Sequence, residues 1–211
     1  MSYRARFTRP ALLALACAVA LASVAWAASP TDKDKTAKAA SKADPAQDPA
    51  MAEMMKYAMP GPAHELLKSM EGEWRATVKS WMAPGEPAVS EGTSSHRLIL
   101  GGRYVEQRFK STFMDQPFEG VGLTGFDNRK GRYTSLWLDN FSTEVMSGEG
   151  TWDAAAKTLT MTSTGPGPDG KPTTIRSVTK VVDDDTHVFS MYAPMEGKET
   201  LAMEITYKRV K

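Results

Sequence analysis

From Trp74 onward the chain is interrupted at short intervals by turn-forming clusters, and this spacing limits the fold more than any other feature. The clusters are Met82 to Pro87, Gly101-Gly102, Asp115-Gln116-Pro117, Asn128-Arg129-Lys130-Gly131, Asp153 to Lys157, Pro166 to Lys171, Asp183-Asp184-Asp185 and Glu196-Gly197-Lys198. Links this short cannot carry parallel crossovers, so consecutive strands must run antiparallel. The segments between them alternate with period two. Trp74, Ala76 and Val78 oppose Arg75, Thr77 and Lys79; Leu159 and Met161 oppose Thr158, Thr160 and Thr162; Leu201, Met203, Ile205 and Tyr207 oppose Thr200, Ala202, Glu204, Thr206 and Lys208. Each strand therefore buries one face. About ten such strands make a mainly β protein, a single antiparallel up-and-down β-barrel over 72–211, because closure removes exposed edges. A barrel of that size has room for more than its own side chains.

The stretch before it reads as three parts. Residues 1–27 carry Arg4, Arg6 and Arg9, an uncharged run from Ala11, and small residues in Ala25-Trp26-Ala27, the pattern of a secretory signal peptide. The expected location is therefore periplasmic or secreted. Cys17 raises lipidation as an alternative, with Ala14 where a lipoprotein signal usually has leucine. Cleavage after Ala27 removes the one cysteine and with it disulfides and thiolate chemistry. It also leaves 23 Lys and Arg against 25 Asp and Glu, a net charge of −2, which gives no reason to expect nucleic acid as a partner. No stable membrane insertion is expected once the leader is gone. Residues 28–50, rich in Ala, Lys, Asp, Ser and Pro, read as a disordered linker. Residues 51–71 read as a helical segment that caps the barrel: Met51 to Met59 as a short helix packed on it, then Pro62 to Met70 as a turn of helix ended by Gly72. Trp74, just past that glycine, is placed to fold beneath the turn and plug one barrel end.

Several patterns imitate chemistry. Gly120-Val121-Gly122-Leu123-Thr124-Gly125 matches the dinucleotide fingerprint by letter, but a turn and another strand follow it instead of a helix. Its glycines are better suited to sharp curvature or close approach on a strand. Gly165 to Lys171 lacks the Ser or Thr of a phosphate loop, having Pro172 there. His64, His96 and His187 are too scattered for a local metal motif. His96 shares a strand face with Leu98 and Leu100, and His187 with Phe189 and Met191. Each is either a core or rim histidine or an imidazole facing a cavity, where it could ligate haem iron. Tyr104, Glu106, Arg108 and Lys110 oppose Val105, Phe109 and Phe113 and read as a solvated face. Trp137 and Asp139 share a face with the aromatic Tyr133 and Phe141, which places Asp139 in or at the mouth of a pocket. The pocket candidates are Trp137, Asp139, Tyr133, Phe126, His96 and Tyr192. No Ser-His-Asp set or carboxylate dyad can be assigned.

Gly72-x-Trp74 after a helical turn, the strand meander and Arg209 near the chain end resemble the calycin superfamily of lipocalin-like barrels. That resemblance implies a cation–π contact between Arg209 and Trp74. More narrowly, Leu100-Gly101-Gly102-Arg103, Gly125-Phe126-Asp127 and Trp137-Leu138-Asp139 resemble the bacterial family called domain of unknown function 1579, from about Met51 onward, with Phe126 where tyrosine is expected. The family implies the fold and no established activity. The resulting expectation is an exported, non-enzymatic barrel, without a cofactor, that binds a small apolar or amphipathic molecule. One alternative is a haem-binding or catalytic barrel resembling nitrobindin, with His187 or His96 on the iron. Another is a sealed structural or interaction module of the cell envelope.

Overall fold

A computed structural model describes residues 48–211 apart from 83, 167–169 and 196. The expected signal peptide, nearly all of the expected linker, and Pro168-Asp169 of the expected hairpin turn lie outside the described residues. Helix α1 (Pro49–Ala58) begins two residues earlier than the sequence suggests, because Asp48 accepts from the Ala50 amide at 2.9 Å and Pro49 takes the first helical position. A 3-10 turn (Pro62–His64) runs into helix α2 (Glu65–Met70). Ten strands follow: β1 (Gly72–Ser80), β2 (Ala88–Ile99), β3 (Tyr104–Phe113), β4 (Gln116–Asp127), β5 (Arg132–Asp139), β6 (Met146–Asp153), β7 (Thr158–Pro166), β8 (Pro172–Asp183), β9 (Thr186–Met195) and β10 (Lys198–Arg209). Each pairs antiparallel with its neighbours in sequence, and β1 pairs with β10 to close the barrel.

The closing pair sets Trp74 directly opposite Arg209. Cross-strand partners project to the same face. The guanidinium accordingly lies 4.2 Å from the centre of the indole, the contact that the calycin resemblance implies. Trp74 is 2% exposed, and its Nε1 donates to the Met70 carbonyl at 3.1 Å, so the indole bridges α2 and β1. Arg209 also donates to the carbonyls of Ser69, Glu71 and Asp184. Gly72 has φ +138°, and a Cβ there would collide with the Arg209 guanidinium, so glycine is required on both counts. Below this seam, Leu67 of α2 is fully buried against Val105, Tyr133, Leu159 and Met161, while the Tyr133 hydroxyl donates to the Ala63 carbonyl at 2.7 Å.

Four local readings need correction. Helix α1 buries no residue. It is tied down through its C-terminal carbonyls instead: Arg103 donates to Ala58, and Asn128 donates to Tyr57 and Met59. The β2–β3 turn is longer than Gly101-Gly102, since Leu100 also takes a positive φ of 51° and turns out to solvent, off the face of His96. The register of β10 shifts between Leu201 and Met203, so strict alternation fails there and Ala202 turns inward. Finally β5 ends at Asp139, leaving Phe141 in the following loop.

Replacing Trp74 with alanine is expected to cost about 3–5 kcal/mol, the usual penalty for truncating a buried aromatic, as measured by urea unfolding. A loss below about 1 kcal/mol would show that the indole is not what closes this end.

Candidate functional site

Because Trp74 and α2 close one end, the interior formed by the described residues opens toward the other, between the links that join β1 to β2, β3 to β4 and β5 to β6. A cavity of about 530 Å³ runs inward from that mouth. Its size falls within the ordinary range for small-molecule pockets, roughly 300–1,000 Å³. Phe113, Phe118 and Phe141 surround the mouth with ring centres 5.4–6.4 Å apart. Deeper walls are supplied by Phe109, Phe189, Met161, Met191, Met203, Ile175 and Ile205, with small hydroxyls of Ser135, Ser163, Ser177 and Thr179 between them.

Trp137 forms the flattest wall. Its register partner on β4 is Gly122, two residues from Gly120, and a Cβ on Gly120 would collide with the indole. The two glycines thus let the ring lie against the sheet, stacked with Phe118 at 14° between planes, so that the space in front of it stays open. The indole Nε1 donates to Asp139 Oδ2 at 3.0 Å, while Asp139 Oδ1 accepts from the amides of Phe141 at 2.9 Å and Ser142 at 3.0 Å. Asp139 therefore lines the mouth as an anchor, with its carboxylate committed to the ring and the loop.

The floor is polar and neutral. His96 Nδ1 lies 3.1 Å from the Met70 carbonyl, which can only accept, so Nδ1 carries the proton. His96 Nε2 must then accept from the Ser94 hydroxyl at 2.9 Å. Ser94 in turn accepts from the Gln107 amide at 3.1 Å, and the same amide donates to the Tyr207 hydroxyl at 3.2 Å. His187 stacks on Tyr207 at 4.5 Å and stands edge-on to Trp74 at 4.4 Å. Burial is the main reason that the pKa of His96 falls to about 4, against smaller opposing effects of the Met70 carbonyl and Glu73, with Arg209 adding to the fall. Burial, then His96 and Arg209, lower His187 to about 3. Burial likewise pushes the Tyr207 phenol upward. The Ser94–His96 pair has the hydrogen bond of an activated serine, yet Ser94 is 1% exposed and does not line the cavity.

The structure divides the sequence-derived candidates by position. Trp137, Asp139 and His96 line the cavity, as does His187. Tyr133 and Phe126 face inward but at the plugged end, packed edge-to-face at 4.9 Å; Phe126 borders a separate space of about 250 Å³ beside His64 and Arg103. Tyr192 is on the opposite face of β9 from His187, under the guanidinium of Arg176 at 4.0 Å. Gln107, Tyr207, Phe109, Phe113, Phe118 and Phe189 line the cavity without having been singled out from the sequence. Their alternation with Val105, Ile205 and His187 was the available signal.

These features define a lipocalin-like barrel, closed at one end and holding an apolar cavity. The family model described as "Protein of unknown function (DUF1579)" matches residues 59–209, and the chain belongs to that family. No curated protein matches it in sequence. Among solved structures it is similar to Rv2717c from M. tuberculosis, with TM-score 0.56, 13% identity, and coverage of 72% of this chain and 100% of that one. It is also similar, at TM-score 0.48 and 11% identity, to the S-type phycobiliprotein lyase CPES from Guillardia theta, covering 75% and 97%. The first likeness is one of fold.

Both imidazoles are held neutral in the fold and take up protons more readily when the chain unfolds. Their contribution to stability is complete above about pH 6.5 and is lost as pH falls toward about 4 for His96 and about 3 for His187. Unfolding free energy is expected to drop between about pH 7.5 and about pH 4.5 by about 2–3 kcal/mol for each imidazole. His187→Phe should remove its own share of that slope; an unchanged slope in the variant would refute the assignment.

Proposed function

We propose that this chain is an exported, non-enzymatic barrel that carries or senses a small, largely apolar molecule. The observation behind this reading is the cavity: about 530 Å³, walled by aromatic and methionine side chains, and closed among the described residues at the Trp74 end. Burying an apolar ligand there gains roughly 25 cal/mol for each Å² removed from water. Export rests on Arg4, Arg6 and Arg9, the apolar run to Ala27, and a remaining chain that has no cysteine. A partner of this kind needs no covalent chemistry from the protein, and the committed carboxylate of Asp139 and the inaccessible hydroxyl of Ser94 offer little.

Nile red, an uncharged dye that brightens in apolar surroundings, tests the cavity directly. Binding is expected for the native protein and should weaken at least about tenfold in Gly120→Val, whose side chain would drive the Trp137 ring into the open space. An equal response in a folded variant would mean that the dye sits elsewhere. Native mass spectrometry of the protein recovered from a bacterial host tests the rest. The mass should correspond to a chain beginning at Ala28 with a small-molecule adduct; an uncleaved chain or an empty barrel argues against export or carriage respectively.

A second reading, haem binding, has one observation in its favour. His96 has both ring nitrogens occupied, whereas the His187 ring makes no hydrogen bond with any described residue and borders the cavity. Bound haem would supply an iron centre for ligand or redox chemistry. The same mass spectrum distinguishes the readings: a haem adduct whose Soret band is lost in His187→Ala, and kept in His96→Ala, selects this one.

A further inference from the structure

Resting on the carrier reading, we infer that the barrel selects an uncharged molecule, one with a flat, conjugated or ring-containing body and a carbonyl or hydroxyl oxygen at its leading end. Among the described residues that line the cavity there is no lysine or arginine. Asp139, the one carboxylate among those described residues, already accepts three hydrogen bonds at the mouth. An anionic head would thus enter a low-dielectric space with no counter-charge among the described lining residues, and a cationic head at the floor would leave the Asp139 carboxylate behind it at the mouth. Either would lose its hydration without replacement.

The floor instead offers neutral hydrogen-bonding capacity that the protein leaves unused. Starting at the Met70 carbonyl, the chain of hydrogen bonds has one possible direction: His96 donates to Met70, Ser94 to His96, Gln107 to Ser94, and Gln107 also to Tyr207. It ends on the Tyr207 oxygen as acceptor, so the phenol proton remains to be donated. Beside it, the His187 ring makes no hydrogen bond with any described residue. No buried side-chain nitrogen or oxygen among the described residues is sealed off without a partner, so the His187 ring nitrogens open on the cavity. A phenol donor and a neutral imidazole fit a carbonyl or hydroxyl oxygen. The glycine-backed indole of Trp137 and the stacked Phe118 supply a planar wall that fits a flat body better than a coiled alkyl chain.

Two probes that differ only at the head test this: 1-pyrenebutanol and 1-pyrenebutyrate, titrated into the purified protein near pH 7.5, with quenching of tryptophan emission as the readout. The alcohol is expected to bind at least about tenfold more tightly. Tyr207→Phe should weaken the alcohol several-fold and leave the carboxylate unchanged, so that the gap narrows. Equal or tighter binding of the carboxylate overturns the inference and leaves the carrier reading intact. Failure of both probes overturns it as well, and the Nile red response of the same sample then decides whether the carrier reading falls with it.

Discussion

The contact between Trp74 and Arg209 is the constraint on which the other features depend. It sits in the pair of strands that closes the barrel, and the guanidinium reaches from there to carbonyls of α2, of the residue before β1, and of the β8–β9 turn. One side chain on β10 thereby ties down the α2–β1 junction and the β8–β9 turn, which are remote from each other in sequence. Gly72 is dictated by it, because no other residue leaves space for the guanidinium at that backbone angle. The closed end, in turn, gives the cavity its direction. His96 and His187 lie between the indole and the open space, dry enough to remain neutral, while the aromatic mouth faces the other way.

Strand number, antiparallel order and the plug were legible from turn spacing and two-residue alternation, since both are local consequences of backbone geometry. What alternation cannot supply is height along the barrel axis. Tyr133, Phe126, Trp137 and His96 all face inward, yet the first two lie in the plugged half; that distinction is set by register across neighbouring strands. Tyr192 is a different case. The pattern that places His187, Phe189 and Met191 on one face puts Tyr192 on the other, so its exclusion was readable from residues alone. The start of α1, the outward turn of Leu100 and the irregularity near Leu201 depend on a cap, a positive φ and a bulge, each a departure from periodicity.

The polar floor illustrates a further limit of sequence patterns. Ser94, His96, Gln107 and Tyr207 come from three strands and do not form a motif in order. They are joined because β1 separates β2 from β10, while β3 follows β2, so their inward faces converge above the plug. The tautomer of His96 then follows from one backbone carbonyl at the end of α2, which makes the plug helix responsible for the chemistry of the floor as well as for its position.

The closing seam also sets the entropic cost of the fold. Lys79 and Glu204, which meet across it, are 125 residues apart in the chain, whereas Lys110 and Glu119 meet across an ordinary hairpin only 9 apart. Loop-closure entropy rises with the logarithm of that separation, so the seam costs about 2 kcal/mol more than a hairpin to form. Nine strand pairs are nearly local, and a single pair carries the long-range closure. The buried indole, whose truncation is expected to cost about 3–5 kcal/mol, offsets that penalty together with Ala76, Val78, Ile205 and Tyr207, which are buried on the same two strands. The ring therefore closes on the core that this one seam buries, Ala76, Val78, Ile205 and Tyr207 along its length and the indole at its end.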